Sequence, residues 1–242
     1  MKLDRIVSWL DATLDLAAFD DVSNNGLQIE RAGNDVRLVA FAVDGSAASV
    51  RAAAEAGAQL LVVHHGISWG GGIRRLTGGA YQVVRAALAA DLALYAAHLP
   101  LDANRAVGNN WELARALGLK KVAPAFSYHG NVIGVTGTLT DAARLKRLNL
   151  ALPAGLKTPL KVGVCSGGAG EFAAAAKDLG CGLYITGEAS WGDVIAAENV
   201  GMPMLLGGHY FTETFGVRAL ARKMARELGV KTVFVGAEGE AE

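Results

Sequence analysis

"VRLVAFAVDGSAASVRAAAEAGAQLLVVHHG", residues 36–66, decides how this chain folds. An almost continuously apolar run over 36–43 leads into an Ala-rich segment over 46–56, then Gly57, then a second apolar run over 60–63. Apolar runs without polar alternation are what strands covered on both faces look like. Alanine has the highest helix propensity, and glycine is the residue that most often ends a helix. The stretch is therefore predicted to be a βαβ unit. Its second strand delivers His64 and His65 side by side, in a chain with only five histidines.

The same alternation extends in both directions. Residues 4–16 read as an amphipathic helix with Ile6, Trp9, Leu10, Thr13 and Leu14 on one face. A helix around 79–90 leads to the strand "LALYAAH" (92–98), and "WELARALGL" (111–119) reads as a further helix. The segment 126–140, "FSYHGNVIGVTGTLT", is β-rich and reads as a connecting hairpin. A second βα series starts near Leu160 and runs to "VKTVFVG" (230–236), after which "AEGEAE" (237–242) is expected to fray. Alternating strands and helices define an α/β fold of mixed sheets flanked by helices.

The two series match each other. "AGAQLLVVHHGISWG" (56–70) aligns with "LGCGLYITGEASWG" (179–192) with one residue of slip. Gly57 falls on Gly180, Leu60 on Leu183, His64 on Gly187 and His65 on Glu188, and the Ser-Trp-Gly triplets at 68–70 and 190–192 coincide. Further along, His98 falls on His209, Asp102 on Glu213, and "ALGLKKV" (116–122) on "ELGVKTV" (227–233). Ordered matches at near-constant offsets indicate an internal duplication. The expectation is two similar three-layer lobes, residues 1–124 and 125–242, with the β-rich segment near 126–140 connecting them.

Composition narrows the function. Of 242 residues, 52% are hydrophobic, which argues against disorder. Lys plus Arg equals Asp plus Glu at 23 each, so bulk charge gives no reason to expect a nucleic-acid or membrane partner. Cys165 and Cys181 lack CxxC spacing and read as ordinary buried thiols. "MKLDRIVSWLDATLDL" has no uninterrupted apolar core, so no signal peptide is expected. No run of 18 apolar residues predicts a membrane span. The expected location is cytoplasmic.

Ligands in open α/β sheets gather beyond the carboxyl ends of strands. His64, His65, His98 and Asp102 follow strands of the first series, and Glu188, His209 and Glu213 follow strands of the second. Imidazole and carboxylate donors together suit Zn, Fe, Mn or Ni. His209 and Glu213 are four apart and share one face if a helix begins there. Successive side chains at a strand end diverge, so His64 and His65 are better placed to feed two neighbouring ions than to chelate one. The expected site is a pair of divalent metal ions held by His64, His65, Asp102, His209 and Glu213. His98 is the candidate proton carrier, or a group that orients Asp102 or meets substrate. Glu188 reads equally as a helix cap. The turn "CSGGAGEF" (165–172) reads as a tight turn before an anion site. Trp69 and Trp191 read as packing residues, with a wall for a ring-shaped substrate as the alternative.

These residues resemble the NIF-three-like dinuclear metal-centre family, whose bacterial members are described as GTP cyclohydrolase I type 2 homologues. The matching pieces are "NNGLQ" (24–28), "VVHHG" (62–66), "AAHLPLDA" with "GNN" (96–110), "CSGGAG" (165–170), "YITGE" (184–188) and "GHYFTETFGVRAL" (208–220). By position, the resemblance implies metal ligands at His64, His65, Asp102, His209 and Glu213, two α/β lobes with a metal pair between them, and a toroidal homohexamer. Phe211 and Thr214 stand where the family motif has Ala and Arg, and the large mid-chain insertion of some relatives is absent. The expected function is a dinuclear metal-dependent hydrolase, GTP cyclohydrolase-like, in which a water between two cations attacks a nucleotide or related heterocycle. The alternatives are a non-catalytic metal-binding regulatory or chaperone-like hexamer and, more weakly, a two-metal phosphoesterase or nuclease.

Overall fold

The structure, a computed structural model, describes residues 1–151, 153 and 155–236. The tail expected to fray, 237–242, lies outside the described residues. In chain order the elements are α1 (Leu3–Leu14), β1 (Gly26–Ile29), β2 (Leu38–Asp44), α2 (Ala47–Glu55), β3 (Leu60–His65), α3 (Gly78–Ala89), β4 (Ala93–Ala96), α4 (Leu99–Ala103), α5 (Asn109–Ala116), β5 (Lys120–Tyr128), β6 (Asn131–Leu139), α6 (Ala143–Arg147), β7 (Leu160–Cys165), α7 (Ala173–Asp178), β8 (Leu183–Thr186), α8 (Trp191–Asn199), β9 (Met204–Leu206), α9 (His209–Leu228) and β10 (Lys231–Phe234). They form two compact units. One is Met1–Leu101 with the chain from Val217 on; the other is Asp102–Gly216. The division is not a linear halving at 124/125, because the last strand and the later turns of α9 belong with the N-terminal elements.

In the first unit the sheet order is β1-β4-β3-β2-β10. Strands β10, β2, β3 and β4 run parallel, and β1 pairs with β4 antiparallel at the edge. Alternate residues of β2, β3 and β4 serve opposite faces. Ala40, Ala42, Leu61, Val63, Leu94 and Ala96 pack with Val50 and Ala53 of α2 and Val83 and Ala87 of α3. On the other face Phe41, Leu60, Val62 and Tyr95 are equally buried, and the Tyr95 hydroxyl donates to Asp11 of α1 at 2.8 Å. Both faces are covered, which is why the strands read as unbroken apolar runs. Ser46 caps α2: its hydroxyl accepts from the Ser49 N–H, and Ser49 returns the bond.

The second unit has a mixed sheet in the order β5-β6-β7-β8-β9, antiparallel from β5 to β7 and parallel from β7 to β9. The β5–β6 hairpin turns on His129 and Gly130, both left-handed at φ 47° and 81°. Two such residues make the tight turn whose twist matches paired strands. The fifth histidine is thereby a turn residue. One face of the sheet packs Val135, Val162, Val164, Leu183 and Ile185 against Trp111, Leu113 and Leu117 from α5 and its C-terminal end, with Phe211 and Phe215 of α9 joining. On the other face Phe126 lies against Tyr184 and Phe172, at ring separations of 5.4 and 5.7 Å.

No helix among the described residues is long and apolar enough to cross a membrane. Leu61 is fully buried in the first core, whereas Leu206 is half exposed at the end of an edge strand. Leu61→Ala is expected to destabilise by about 2–5 kcal/mol through lost burial and a residual cavity, and Leu206→Ala by about 0.5 kcal/mol or less. Urea unfolding midpoints check the contrast.

Candidate metal centre

In the first unit, three imidazoles meet at the carboxyl ends of β3 and β4. The rings of His64 and His65 lie 4.6 Å apart, His64 and His98 5.2 Å, and His65 and His98 5.8 Å. One nitrogen from each falls within 4.8 Å of the others, the spacing of a group that could hold a cation. The adjacent pair does not simply diverge. At Nδ1 the two part towards opposite neighbouring strands. His64 Nδ1 lies 3.0 Å from the Ala97 carbonyl beyond β4, and His65 Nδ1 lies 2.8 Å from Asp44 Oδ1 at the end of β2. Asp44 is in register with His65 across the parallel pair, so the sheet itself sets that bond.

His98 is held more elaborately. Its Nδ1 lies 2.9 Å from Asp21 Oδ1, and its backbone N–H donates to Asn25 Oδ1 at 2.8 Å. Asp21 also accepts from the N–H of Ser23 and Leu99 and from the Asn25 amide. Burial raises the Asp21 carboxyl, but the bonds from His98 and Asn25 outweigh it and bring the group down to about 2. A carbonyl or carboxylate oxygen can only accept, so Nδ1 carries the proton in His64, His65 and His98. The nitrogen each ring can turn to a cation is then Nε2.

The second unit repeats this arrangement with carboxylates. His209 opens α9, and its Nδ1 lies 2.9 Å from Glu188 Oε1, just beyond β8. One turn later Glu213 brings Oε1 to 3.1 Å from His209 Nε2. The helix predicted at "YFTETFG" does place both on one side. Hydrogen bonding to Glu213 raises the His209 imidazole to about 9, against burial and with Glu188 adding. Asp102 sits on α4 with Oδ1 accepting from Asn109 Nδ2 at 2.9 Å and from the Ser166 hydroxyl at 3.1 Å. Asn109 Oδ1 in turn accepts from the Gly216 N–H at 2.7 Å, and Asn110 Oδ1 from the Ser166 N–H at 2.6 Å. The "GNN" motif thus orients Asp102 and ties it to the turn after β7.

That turn is tight, and three of its N–H groups are already engaged. The N–H groups of Ser166, Gly167 and Ala169 go to Asn110, Thr212 and Thr186. The Gly167 carbonyl accepts from the N–H groups of Gly187 and Glu188 at 2.9 Å each. Gly167 has φ 68°, and a β-carbon there would run into the Glu213 carboxylate. Glycine is required because the turn passes directly under that side chain. Phe211 packs into the second core, and the Thr214 hydroxyl donates back to the Phe211 carbonyl at 2.8 Å. Cys165 is buried, its thiol pushed well up by burial with Asp102 adding, and Cys181 is buried too.

Sequence reasoning found every imidazole of the two clusters but missed Asp21 and Asp44. Asp44 ends a strand and was open to the same strand-end reasoning. Asp21 lies in a loop with no periodic signal. Glu188 is not a helix cap: Ser190 caps α8 through Asp193, and Glu188 supports His209.

Backed imidazoles and carboxylates at the ends of parallel strands define an α/β protein with groups suited to divalent metal ions. The chain belongs to the Duf34/NIF3 (NGG1p interacting factor 3) family, whose model matches residues 1–239. It is 43% identical over 245 residues to the Deinococcus radiodurans protein named GTP cyclohydrolase 1 type 2 homolog, covering 96% of this chain and 92% of that one. A Pyrococcus horikoshii protein of the same name is 40% identical over 247 residues, covering 97% and 98%. The crystal structure of TTHA1606 from Thermus thermophilus superposes with a TM-score of 0.85 at 33% identity, covering all of both chains.

A folded-state carboxyl at about 2, against about 3.9 for an unfolded aspartate, adds stability that is complete above the unfolded value and is lost as pH falls towards 2. Asp21→Asn should therefore lower the melting temperature most above about pH 5, with the gap from wild type closing towards about pH 2. Thermal melts across that range check it; a gap that is constant with pH would remove Asp21's charge from the explanation.

Proposed function

We propose that this protein is a dinuclear metal-dependent hydrolase, GTP cyclohydrolase type 2-like, acting on a nucleotide or related heterocycle. His64, His65, Asp102, His209 and Glu213 are the residues that would hold the two divalent ions. The observation that carries the reading is common to His64, His65 and His98: each has Nδ1 against an oxygen acceptor, which leaves Nε2 as the donor, while His209 is braced at Nδ1 by Glu188 and paired at Nε2 with Glu213, whose place a cation would take. A cluster of imidazoles whose tautomers and rotations are fixed in advance fits a cation. A set of merely structural histidines would not need the same nitrogen backed every time.

When bound, two cations would polarise an electrophilic centre and lower the pKa of a nucleophilic water. The protein's own contribution is orientation and proton handling. Asp44, Glu188 and Asn109 fix ligand side chains, so little rotamer freedom is lost when a cation arrives. His98, braced by Asp21, can take or give a proton at Nε2, and the carboxylate stabilises the imidazolium that results. The names of the relatives from Deinococcus radiodurans and Pyrococcus horikoshii support the choice of a nucleotide-like substrate. On the family resemblance we further propose a cytoplasmic homohexamer whose two units arose by duplication.

His64→Ala and Glu213→Ala are expected to lose metal relative to wild type while keeping the wild-type circular dichroism spectrum. His98→Gln is expected to keep its metal and lose turnover on a nucleotide and pterin panel followed by mass spectrometry. Elemental analysis showing unchanged metal in both ligand variants would overturn the assignment. Metal retention without product on any member of the panel would favour the non-catalytic alternative.

A further inference from the structure

The exposed indole of Trp69 lies beside the imidazole cluster of the first unit. Its ring lies 5.1 Å from that of His98, nearly edge-on at 75°, and 6.1 Å from that of His65. It is 38% exposed. Polar bonds fix its place. The indole N–H donates to the Gly66 carbonyl at 3.0 Å. The Gly70 N–H donates to the Val22 carbonyl at 2.7 Å, and Trp69 forms a β-bridge with Ser23.

The motif "NNGLQ" completes the bracket. Asn24 donates through its backbone to the Ser68 carbonyl at 3.1 Å and through its side chain to the Ser68 hydroxyl at 2.7 Å. Gln28 Oε1 accepts from the Ile67 N–H at 2.7 Å, and its Nε2 donates to the Asn24 carbonyl at 2.7 Å. The chain can run this close only because residue 66 is glycine; a β-carbon there would strike the Gln28 amide and the Ala96 methyl. Asn25, in the same motif, holds the His98 backbone and the Asp21 carboxylate. One short segment therefore positions both His98 and the indole next to it.

We infer that Trp69 is the stacking platform for a planar heterocyclic ring, and so a residue that determines which substrates the site accepts. The inference rests on the metal-dependent reading above. A large apolar ring left more than a third exposed forfeits burial, and the bond to Gly66 holds it in one orientation beside the imidazoles. Stacking on an aromatic side chain recognises a flat ring whatever its edge groups, because every base has such a face. Nucleobases and pterins share that chemistry, whereas a sugar phosphate does not.

The test is equilibrium binding to the full-length, metal-loaded protein, by calorimetry and by quenching of tryptophan fluorescence. The probes are guanosine, a pterin and ribose 5-phosphate, with metal content measured in every variant. Trp69→Leu should weaken guanosine and pterin binding by about tenfold or more, and Trp69→Phe by about threefold or less, the range expected when one stacking face is removed or reduced. Ribose 5-phosphate should bind all three proteins alike, and metal content should not change. Whichever of guanosine and the pterin binds wild type more tightly identifies the source of the ring. Wild-type ring affinity in Trp69→Leu would overturn the inference, as would failure of both rings to bind the metal-loaded wild type. Either result leaves the metal assignment standing, since that depends on the ligand variants.

Discussion

A hydrogen bond from an imidazole Nδ1 to an oxygen acceptor is the interaction on which the arrangement of both clusters depends. It sets the tautomer, and it stops the ring from rotating. The acceptors are not arbitrary. Ala97 follows β4 and Asp44 closes β2, the two neighbours of the strand that carries His64 and His65. A shift of one residue in either pairing would turn the side chains to the opposite face and break the bonds. Sheet register and the placing of these two imidazoles are therefore one specification, and the buried apolar strands hold both.

In the second unit close backbone approach has the same role. Gly187 could not carry a β-carbon without meeting the Gly167 carbonyl, the Thr212 hydroxyl and the start of α9. The turn after β7, the end of β8 and the first turn of α9 are packed to backbone distance, which brings Glu188, His209 and Glu213 together. Thr212 is the pin: its hydroxyl accepts from the Gly167 N–H and donates back along the helix to the carbonyls of Gly208 and His209. The glycines of the turn after β7, read in the sequence as a tight turn, are there for clearance.

Much of this was legible because it is periodic. Apolar runs bounded by glycine gave β2, α2 and β3, and spacing placed His209 and Glu213 on one face of α9. What could not be read depends on partners far along the chain. β10 lies beside β2 in the first sheet, and nothing in "VKTVFVG" names that neighbour, so a linear boundary at 124/125 was the natural but incomplete reading. The matched Ser-Trp-Gly triplets are equally instructive. Ser190 caps a helix and Trp191 begins it, whereas Ser68 and Trp69 lie in a loop clamped by Asn24 and Gln28. Equal residues at equal offsets took different structures because only one triplet has that clamp. Asp21 escaped notice for a related reason: its value lies in bonds to His98 and Leu99, far along the chain, which no local pattern encodes.

The two cysteines are sealed inside, and the clusters themselves offer only nitrogen and oxygen. Thiolate sites release their ions when sulfur is oxidised. A donor set of imidazoles and carboxylates has no such point of attack, and the buried Cys165 thiol is far from the thiolate form that oxidants and soft metals seek. Neither cluster therefore depends on the oxidation state of a thiol: its polar groups are nitrogen and oxygen, and both cysteines lie buried.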